Sequence, residues 1–244
     1  MQVRTGILLA GGSGSRLAPL NSQFNKHLIP VYNKFIIDYP LATLHSAGVK
    51  NLTVVLGGQH YAQVVSYLKD GQQFGMNINY VYQDKPAGLS QAINLCQPFV
   101  EHKDNFMVVL GDNIFEKPVT FQDMEAPAQI VLHKHPELHR FGVASIKDNK
   151  IVQIEEKPKV LPDGYDNYAI AGCYLFDSQF FKFFTHLKPS SRLEFEITDI
   201  IRMYHERGKL GYSFVDGLWS DAGTHQSINY VNNFFYRKDV SNES

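Results

Sequence analysis

Gly11, Gly12 and Gly14, in the run Gly11-Gly12-Ser13-Gly14-Ser15-Arg16-Leu17, leave a stretch of backbone without Cβ atoms. Successive N–H groups in such a loop can point at one anion. Arg16 and Lys26 add fixed positive charge nearby. A triphosphate suits this arrangement, with its many oxygens, its dense negative charge and its need for close backbone approach. Two better-known phosphate loops do not fit. There is no G-x-x-x-x-G-K-[ST], and Gly12-x-Gly14 is followed by Arg16-Leu17 rather than by a third glycine at the dinucleotide position. A plain linking turn explains the glycines but not the two cations.

Asp112 and Asp221 are the next residues of interest. Each follows an apolar or aromatic strand and sits beside a small or polar residue. Two carboxylates brought together at a strand edge can share a magnesium ion, which takes few ligands from protein. Asp112 in Gly111-Asp112-Asn113 is equally a turn-capping residue, and Asp221 equally precedes a helix start. From position alone both readings stand. Gln83 offers an amide donor and acceptor that can pair with the imide edge of thymine or uracil. Gly88, with no side chain, lets backbone approach the same edge. A polar strand end followed by a helix start is the competing reading of Gln83, Gly88 and Leu89.

At these residues the chain resembles the sugar-1-phosphate nucleotidyltransferases. The glycine run through Pro19 and the segment Asn25-Lys26-His27-Leu28-Ile29-Pro30-Val31 carry the first part of the likeness. Gln83-Asp84-Lys85-Pro86-Ala87-Gly88-Leu89-Ser90-Gln91-Ala92, Leu110-Gly111-Asp112-Asn113-Ile114-Phe115 and Glu155-Glu156-Lys157-Pro158 continue it in order. Glu194-Phe195-Glu196-Ile197-Thr198-Asp199 and Trp219-Ser220-Asp221-Ala222-Gly223-Thr224-His225 complete it. Together they are similar to the glucose-1-phosphate thymidylyltransferase family over positions 6 to about 230.

The resemblance implies transfer of a nucleotidyl group from dTTP to glucose 1-phosphate with release of pyrophosphate, dependent on Mg2+. It assigns catalysis to Arg16, Lys26, Asp112, Lys157 and Asp221, with Asp112 and Asp221 holding the metal. It assigns the nucleotide to Leu9, Gly11, Gly12, Ser13, Gly14, Ser15, Arg16, Gln83, Pro86, Gly88, Leu89 and Asp112. The sugar phosphate falls to Asn113, Phe141, Gly142, Glu156, Lys157, Tyr168, Ile170, Gly172, Arg192 and Trp219, with Glu194 as a capping or ligand-organising acid. The nucleophile is already an anion, so cations and backbone donors are needed rather than a strong base. No Ser-His-Asp arrangement is present, and none is needed. Four positions depart from the family pattern. Ala18 and His27 leave the phosphate chemistry intact. Phe141 for tyrosine and Leu193 for glycine bear on the choice of sugar. UTP or another sugar phosphate remains open, because Gln83 reads an edge that thymine and uracil share. A catalytically silent nucleotide-sugar sensor is the alternative from a different class, although a pure binder has no need of both carboxylates. Longer members carry a helical C-terminal extension that contributes to a regulatory product site. The chain ends soon after the Thr224-His225 segment, so that regulation is not expected.

The elements that must position these residues are legible as a pattern. Strands at Val3 to Leu9, Leu52 to Leu56, Ile78 to Tyr82 and Phe106 to Leu110 alternate with helical spacing at Ile36 to Ala47, Tyr61 to Leu68 and Leu89 to Phe99. This predicts an α/β fold, a Rossmann-like three-layer sandwich on a mostly parallel central sheet. Ligands in such sheets sit beyond the carboxyl ends of the strands, where the glycine loop, Gln83 and Asp112 all fall. Shorter strands follow at Gln129 to His133, Gly142 to Ile146, Ile151 to Glu155 and Tyr168 to Phe176, and read as hairpins and sheet extensions, a small β-rich extension that the resemblance implies is sugar-binding. Helices at Phe180 to His186 and Ile197 to His205, a strand at Leu210 to Val215 and a helix at Asn229 to Tyr236 complete the reading, with Val240 to Ser244 frayed. One domain over 1–240 is expected, its nucleotide half at 1–125 and its sugar-phosphate half at 126–240. The 244 residues are 44% hydrophobic, enough for one large core. Net charge of −1 without a basic run argues against nucleic acid. No apolar stretch approaches a membrane span, and no signal peptide fits before the first strand. Cys96 and Cys173 read as reduced core residues, so a cytoplasmic location is expected. Tyr230, Phe234, Phe235 and Tyr236 give the last helix an aromatic face, more a core stripe than an interface. A homodimer is the expected assembly.

Overall fold

A computed structural model of the chain describes residues 3–12, 14–101, 105–122 and 126–242. The apolar run before the glycine loop is strand β1 (Thr5–Ala10), buried along its length. Successive side chains on a strand take opposite faces. Ile7 and Leu9 therefore enter one core, and Leu8 and Ala10 enter another. After the loop come a small hairpin, β2 (Pro30–Val31) and β3 (Lys34–Phe35), and helix α1 (Asp38–Ser46). Then follow β4 (Asn51–Leu56), α2 (Tyr61–Leu68), β5 (Asn77–Tyr82), α3 (Leu89–Asn94) and β6 (Phe106–Leu110). The strands lie in the order β6-β1-β4-β5, parallel throughout. Their carboxyl ends deliver the glycine loop, Gln83 and Asp112 to one edge.

The second half is wound differently. It comprises β7 (Asn113–Phe115), β8 (Ala128–His133), β9 (Gly142–Lys147), β10 (Lys150–Glu156) and β11 (Asp166–Phe176). Helices α4 (Gln179–Phe184) and α5 (Ile197–Glu206), strands β12 (Leu210–Phe214) and β13 (Trp219–Asp221), and helix α6 (His225–Asn242) complete it. Strand β11 joins the halves. One of its edges pairs antiparallel with β9 through Asp166–Ala169 and with β6 through Cys173–Phe176. Its other edge pairs with β8, which carries β12. A register shift between Ala171 and Tyr174 takes Gly172 out of regular pairing with β8.

Helices α3, α4 and α5 cover one face of the sheet with Ile93, Phe180, Ile200 and Tyr204. Helices α1 and α2 cover the other with Leu41, Leu44, Val64 and Leu68. These are the three layers. Under α6 lies a third, smaller core of Leu17, Val31, Ile36, Ile114, Ile228 and Val231.

Several bounds differ from the sequence reading. Helix α3 ends at Asn94 and yields to a single 3₁₀ turn at Gln97–Phe99, because Pro98 has no N–H to continue the ladder. Helix α6 begins at His225 and runs on to Asn242, so Val240 is helical rather than frayed. Its aromatic set is divided: Phe234 and Phe235 pack on the third core, whereas Tyr230 and Tyr236 are exposed. An antiparallel ribbon of β7 and β13 was not foreseen. Three-residue strands show no period to read. Cys96 and Cys173 are buried and unpaired. No described helix is long and apolar enough to cross a membrane.

Candidate active site

The glycine loop is shaped by Lys26. A Cβ at Gly12 would lie 3.1 Å from Lys26 Nζ. At Gly14, where φ is +65°, it would lie 2.9 Å from Lys26 Cδ. At Gly14 the left-handed backbone and the approach of the Lys26 stem both call for glycine, whereas at Gly12 the contact is with the flexible end of the side chain. Asn25 sets the turn that presents it, its Oδ1 accepting from the His27 backbone N–H at 3.0 Å and facing His27 Nδ1 at 2.8 Å. Lys26 Nζ then donates to Asp112 Oδ2 at 2.6 Å. Burial opposes the charge on Asp112, but Lys26 and the Asn113 amide, which donates to Oδ1 at 3.0 Å, outweigh it. They hold this carboxyl well below the usual carboxylate range.

Asp221 reaches the same place through the β7–β13 ribbon. Asp221 pairs with Asn113 across it, and the Ala222 N–H donates to the Asp112 carbonyl at 2.7 Å. The buried Asn113 Oδ1 accepts from Trp219 Nε1 at 2.7 Å and from the Gly172 N–H at 3.0 Å. A Cβ at Gly172 would sit 2.6 Å from that oxygen, so the approach requires glycine. Asp221 Oδ2 accepts from Arg140 Nη2 at 2.7 Å. Arg16 is close too, for the Cβ position of Gly223 lies 2.9 Å from Arg16 Nη2 and 3.0 Å from Asp221 Oδ2. Burial pushes the Asp221 carboxyl up to about 6, with the charge of Asp112 adding to the rise and Arg140 and Arg16 restraining it.

Two cavities meet here. One, of about 440 Å³, is lined by Leu9, Gly11, Gly12, Lys26, Gln83, Pro86, Gly88 and Arg192 among others. The other, of about 200 Å³, is lined by Asn113, Arg140, Phe141, Gly142, Ile170, Gly172, Trp219 and Asp221 among others. Arg16, Leu89, Asp112, Glu156 and Lys157 line both, and so mark the junction. Gln83 is buried in the larger cavity and fixed by Gln91, whose Oε1 accepts from Gln83 Nε2 at 2.5 Å. Gly88, at φ +99°, lets Phe195 approach to where a Cβ would stand 2.6 Å from its carbonyl oxygen. Among the described residues no cluster of three or more His, Cys, Asp or Glu side chains could hold a metal. A cation at the junction would have two carboxylates and would complete its shell with substrate oxygens and water. That donor set fits magnesium.

The sequence model of the family described as nucleotidyl transferase matches residues 5–238. The chain belongs to the nucleotidyl transferase family. The glucose-1-phosphate thymidylyltransferase of Neisseria meningitidis is 39% identical over 240 residues, covering 94% of this chain and 81% of the relative. A solved structure from Bacillus anthracis, named as a glucose-1-phosphate thymidylyltransferase and holding sucrose, is 41% identical. It superposes with a TM-score of 0.87 over 95% of both chains. A UDP-glucose pyrophosphorylase solved with UDP-glucose reaches a TM-score of 0.82 at 20% identity, over 97% of this chain and 99% of its own, a likeness of fold alone.

Within this nucleotidyltransferase the expected residues fall unevenly. Gly14 and Ser15 shape the loop without lining either cavity, and Ser13 lies outside the described residues. Tyr168 is not brought to the two cavities. It packs on Phe214 with ring centroids 5.0 Å apart, beside Lys134. It lies toward the start of β11, so the strand carries it past the site while Ile170 and Gly172 reach the cavity wall. Arg192, expected at the sugar phosphate, is gripped by carboxylates: Glu196 at 2.7 Å, Glu156 at 3.0 Å and Glu194 at 3.4 Å. Glu196 is the buried acid of this group, and Glu194 stays at the rim. Lys157 Nζ lies 3.6 Å from the same Glu156 oxygen, and burial raises the Glu156 carboxyl despite both cations. Thr198 Oγ1 donates to the other Glu156 oxygen at 3.1 Å. Leu193 stands exposed at φ +61°, a conformation that glycine adopts freely. Sequence reasoning missed Arg140, Glu196 and Thr198. Arg140 sits in a polar stretch where a surface arginine is the default, and only the Glu194-Phe195-Glu196 segment offered a signal for the others.

Proposed function

We propose that this nucleotidyltransferase makes dTDP-glucose and pyrophosphate from dTTP and glucose 1-phosphate with magnesium. The observation that carries the reading is the junction: Arg16, Asp112 and Lys157 line both cavities, where the phosphates of two substrates must meet. The reaction joins two anions, so its difficulty is charge and positioning rather than proton removal. The sugar phosphate oxygen forms a bond to the α-phosphorus of dTTP. The bond from that phosphorus to the bridging oxygen breaks, and pyrophosphate leaves with the electron pair. Gln83 pairs with the base in the larger cavity. The Gly11 and Gly12 backbone, Arg16 and Lys26 receive the triphosphate and neutralise the leaving pyrophosphate. Lys157 orients the attacking phosphate, and Glu156, Gly142 and Trp219 face the sugar. Asp112 and Asp221 would hold magnesium, which supplies charge neutralisation between the phosphates when bound.

Purified protein is tested with dTTP, UTP, dCTP and dATP against a panel of sugar 1-phosphates, reading pyrophosphate release. Turnover should be highest with dTTP and glucose 1-phosphate. Faster turnover with UTP overturns the choice of base, since Gln83 reads an edge common to both. Absence of turnover with every pair overturns the reaction.

A further inference from the structure

The two carboxylates at the junction already have partners within the protein. Asp112 is 2.6 Å from Lys26 and Asp221 is 2.7 Å from Arg140. Arg16 Nη2 also stands beside Asp221, across the space left open by Gly223. Each carboxylate is thus already neutralised by a cation of the protein, and a bare divalent ion must compete with that cation for its oxygens. A triphosphate brings several negative charges, which draw cations away from the carboxylates, and adds phosphate oxygens as ligands for the ion. The three cations are not equivalent. Lys26 leans on the glycine loop, and Arg16 lines both cavities, so an incoming triphosphate can draw either one. Arg140 lines the smaller cavity only of the two. It is anchored from behind, with Nη1 on Glu137 at 2.8 Å and its guanidinium 5.1 Å from the Phe141 ring centre. Its grip on Asp221 does not depend on an empty nucleotide cavity.

We infer that Arg140 is a positioning residue that holds the Asp221 carboxylate and competes with the divalent cation for it, so that cation uptake depends on the nucleotide. The inference rests on the proposal that Asp112 and Asp221 hold the cation. Mn2+, which shares magnesium's preference for oxygen ligands, serves as the probe. Water-proton relaxation distinguishes protein-bound ion from nucleotide-bound ion. Wild type, Arg140→Gln and Arg140→Lys are titrated with Mn2+, each with and without dTTP. Wild type should bind the ion weakly alone and far more tightly with dTTP. Without nucleotide, Arg140→Gln should bind about tenfold more tightly than wild type, because one fixed charge a few ångströms away is gone. Arg140→Lys should stay near wild type. General damage to the fold lowers affinity, so a gain is diagnostic. Unchanged or weaker binding in Arg140→Gln overturns the inference, as does a rise in KM for the sugar phosphate with Mn2+ affinity unmoved. The unaltered protein gives a second test that needs no variant: binding as tight without dTTP as with it also overturns the inference. If wild type takes up no Mn2+ even with dTTP, the assignment of the carboxylates fails as well, and that result is distinct from the others.

Discussion

Asp112 and Asp221 are alike in type and nearly in place, yet the protein treats their charges in opposite ways. Lys26 stabilises the ionised form of Asp112, whereas burial beside Asp112 disfavours that of Asp221. A shifted pKa is a statement about folding. Asp112→Asn should therefore lower the melting temperature, leaving Lys26 poorly matched, and Asp221→Asn should leave it near wild type. Both should reduce turnover at least about a hundredfold if each carboxylate helps hold the cation. Melting curves beside pyrophosphate assays check this, and full activity in Asp221→Asn would remove it from the metal pair. His27 gives a prediction about pH. It is buried, its Nε2 has no hydrogen-bond partner among the described residues, and burial beside Lys26 lowers it to about 3. Above pH 6.5 neither folded nor unfolded chain protonates this ring. Below it the unfolded chain takes up a proton that the folded chain refuses until about pH 3. His27 therefore costs stability as pH falls from 6.5 towards 3, by up to about 1.4 kcal/mol per pH unit. Urea midpoints should decline over that window, and less steeply in His27→Gln. Equal slopes in the two proteins would show that His27 does not drive the decline.

At the scale of elements, the site depends on a ribbon too short to announce itself. The long parallel strands were legible because each is a continuous apolar run that ends at a turn signal, and these placed the glycine loop, Gln83 and Asp112 on one edge. The pairing of β7 with β13 was not legible, because three residues cannot show alternation and the partners are far apart in sequence. Yet this pairing brings Asp221 to Asp112 and Trp219 to Asn113. Arg140 was hidden for the same reason, since its partner is supplied by the ribbon. Tyr168 falls outside both cavities although its segment named a strand correctly, because nothing in sequence shows how far along that strand the cavities lie. Gly172 is where β11 meets the ribbon, and it yields a prediction. In Gly172→Ala the new Cβ would press on Asn113 Oδ1 at 2.6 Å and on Leu110 Cδ1 at 2.7 Å. Overpacking of this kind costs about 1–3 kcal/mol. Because the displaced residue is Asn113, which orients Asp112, kcat should fall more than the stability loss explains, with KM for dTTP little changed. A variant with wild-type kcat would show that the Asn113 contact does not set the geometry of Asp112.

At the scale of the whole molecule, the first and second halves of the described chain share one sheet and one set of cores. Strand β11 from the second half pairs with β6 from the first along Cys173–Phe176, and buried Val108 and Tyr174 pack in one core. Helix α6 returns to the first half, where Phe235 stacks on Tyr39 with centroids 5.5 Å apart. Sheet and core therefore give no plane along which one half could open alone, and unfolding should be a single transition. The sequence offers a direct probe, because Trp219 is its only tryptophan. This ring sits on the β7–β13 ribbon at the wall of the smaller cavity, where its fluorescence follows the junction, while far-ultraviolet circular dichroism follows the whole chain. The two thermal curves should coincide. Magnesium and dTTP at about a hundred times their dissociation constant should add about 2.7 kcal/mol. In a chain of this size that shifts both midpoints together by about 5–10 °C. The site proposed for the nucleotide lies mainly on the first half, so a common shift measures how tightly the halves are coupled. If the fluorescence midpoint separates from the dichroism midpoint, or only one of them moves with nucleotide, the halves are independent folding units. The cavity junction would then be an interface between two domains.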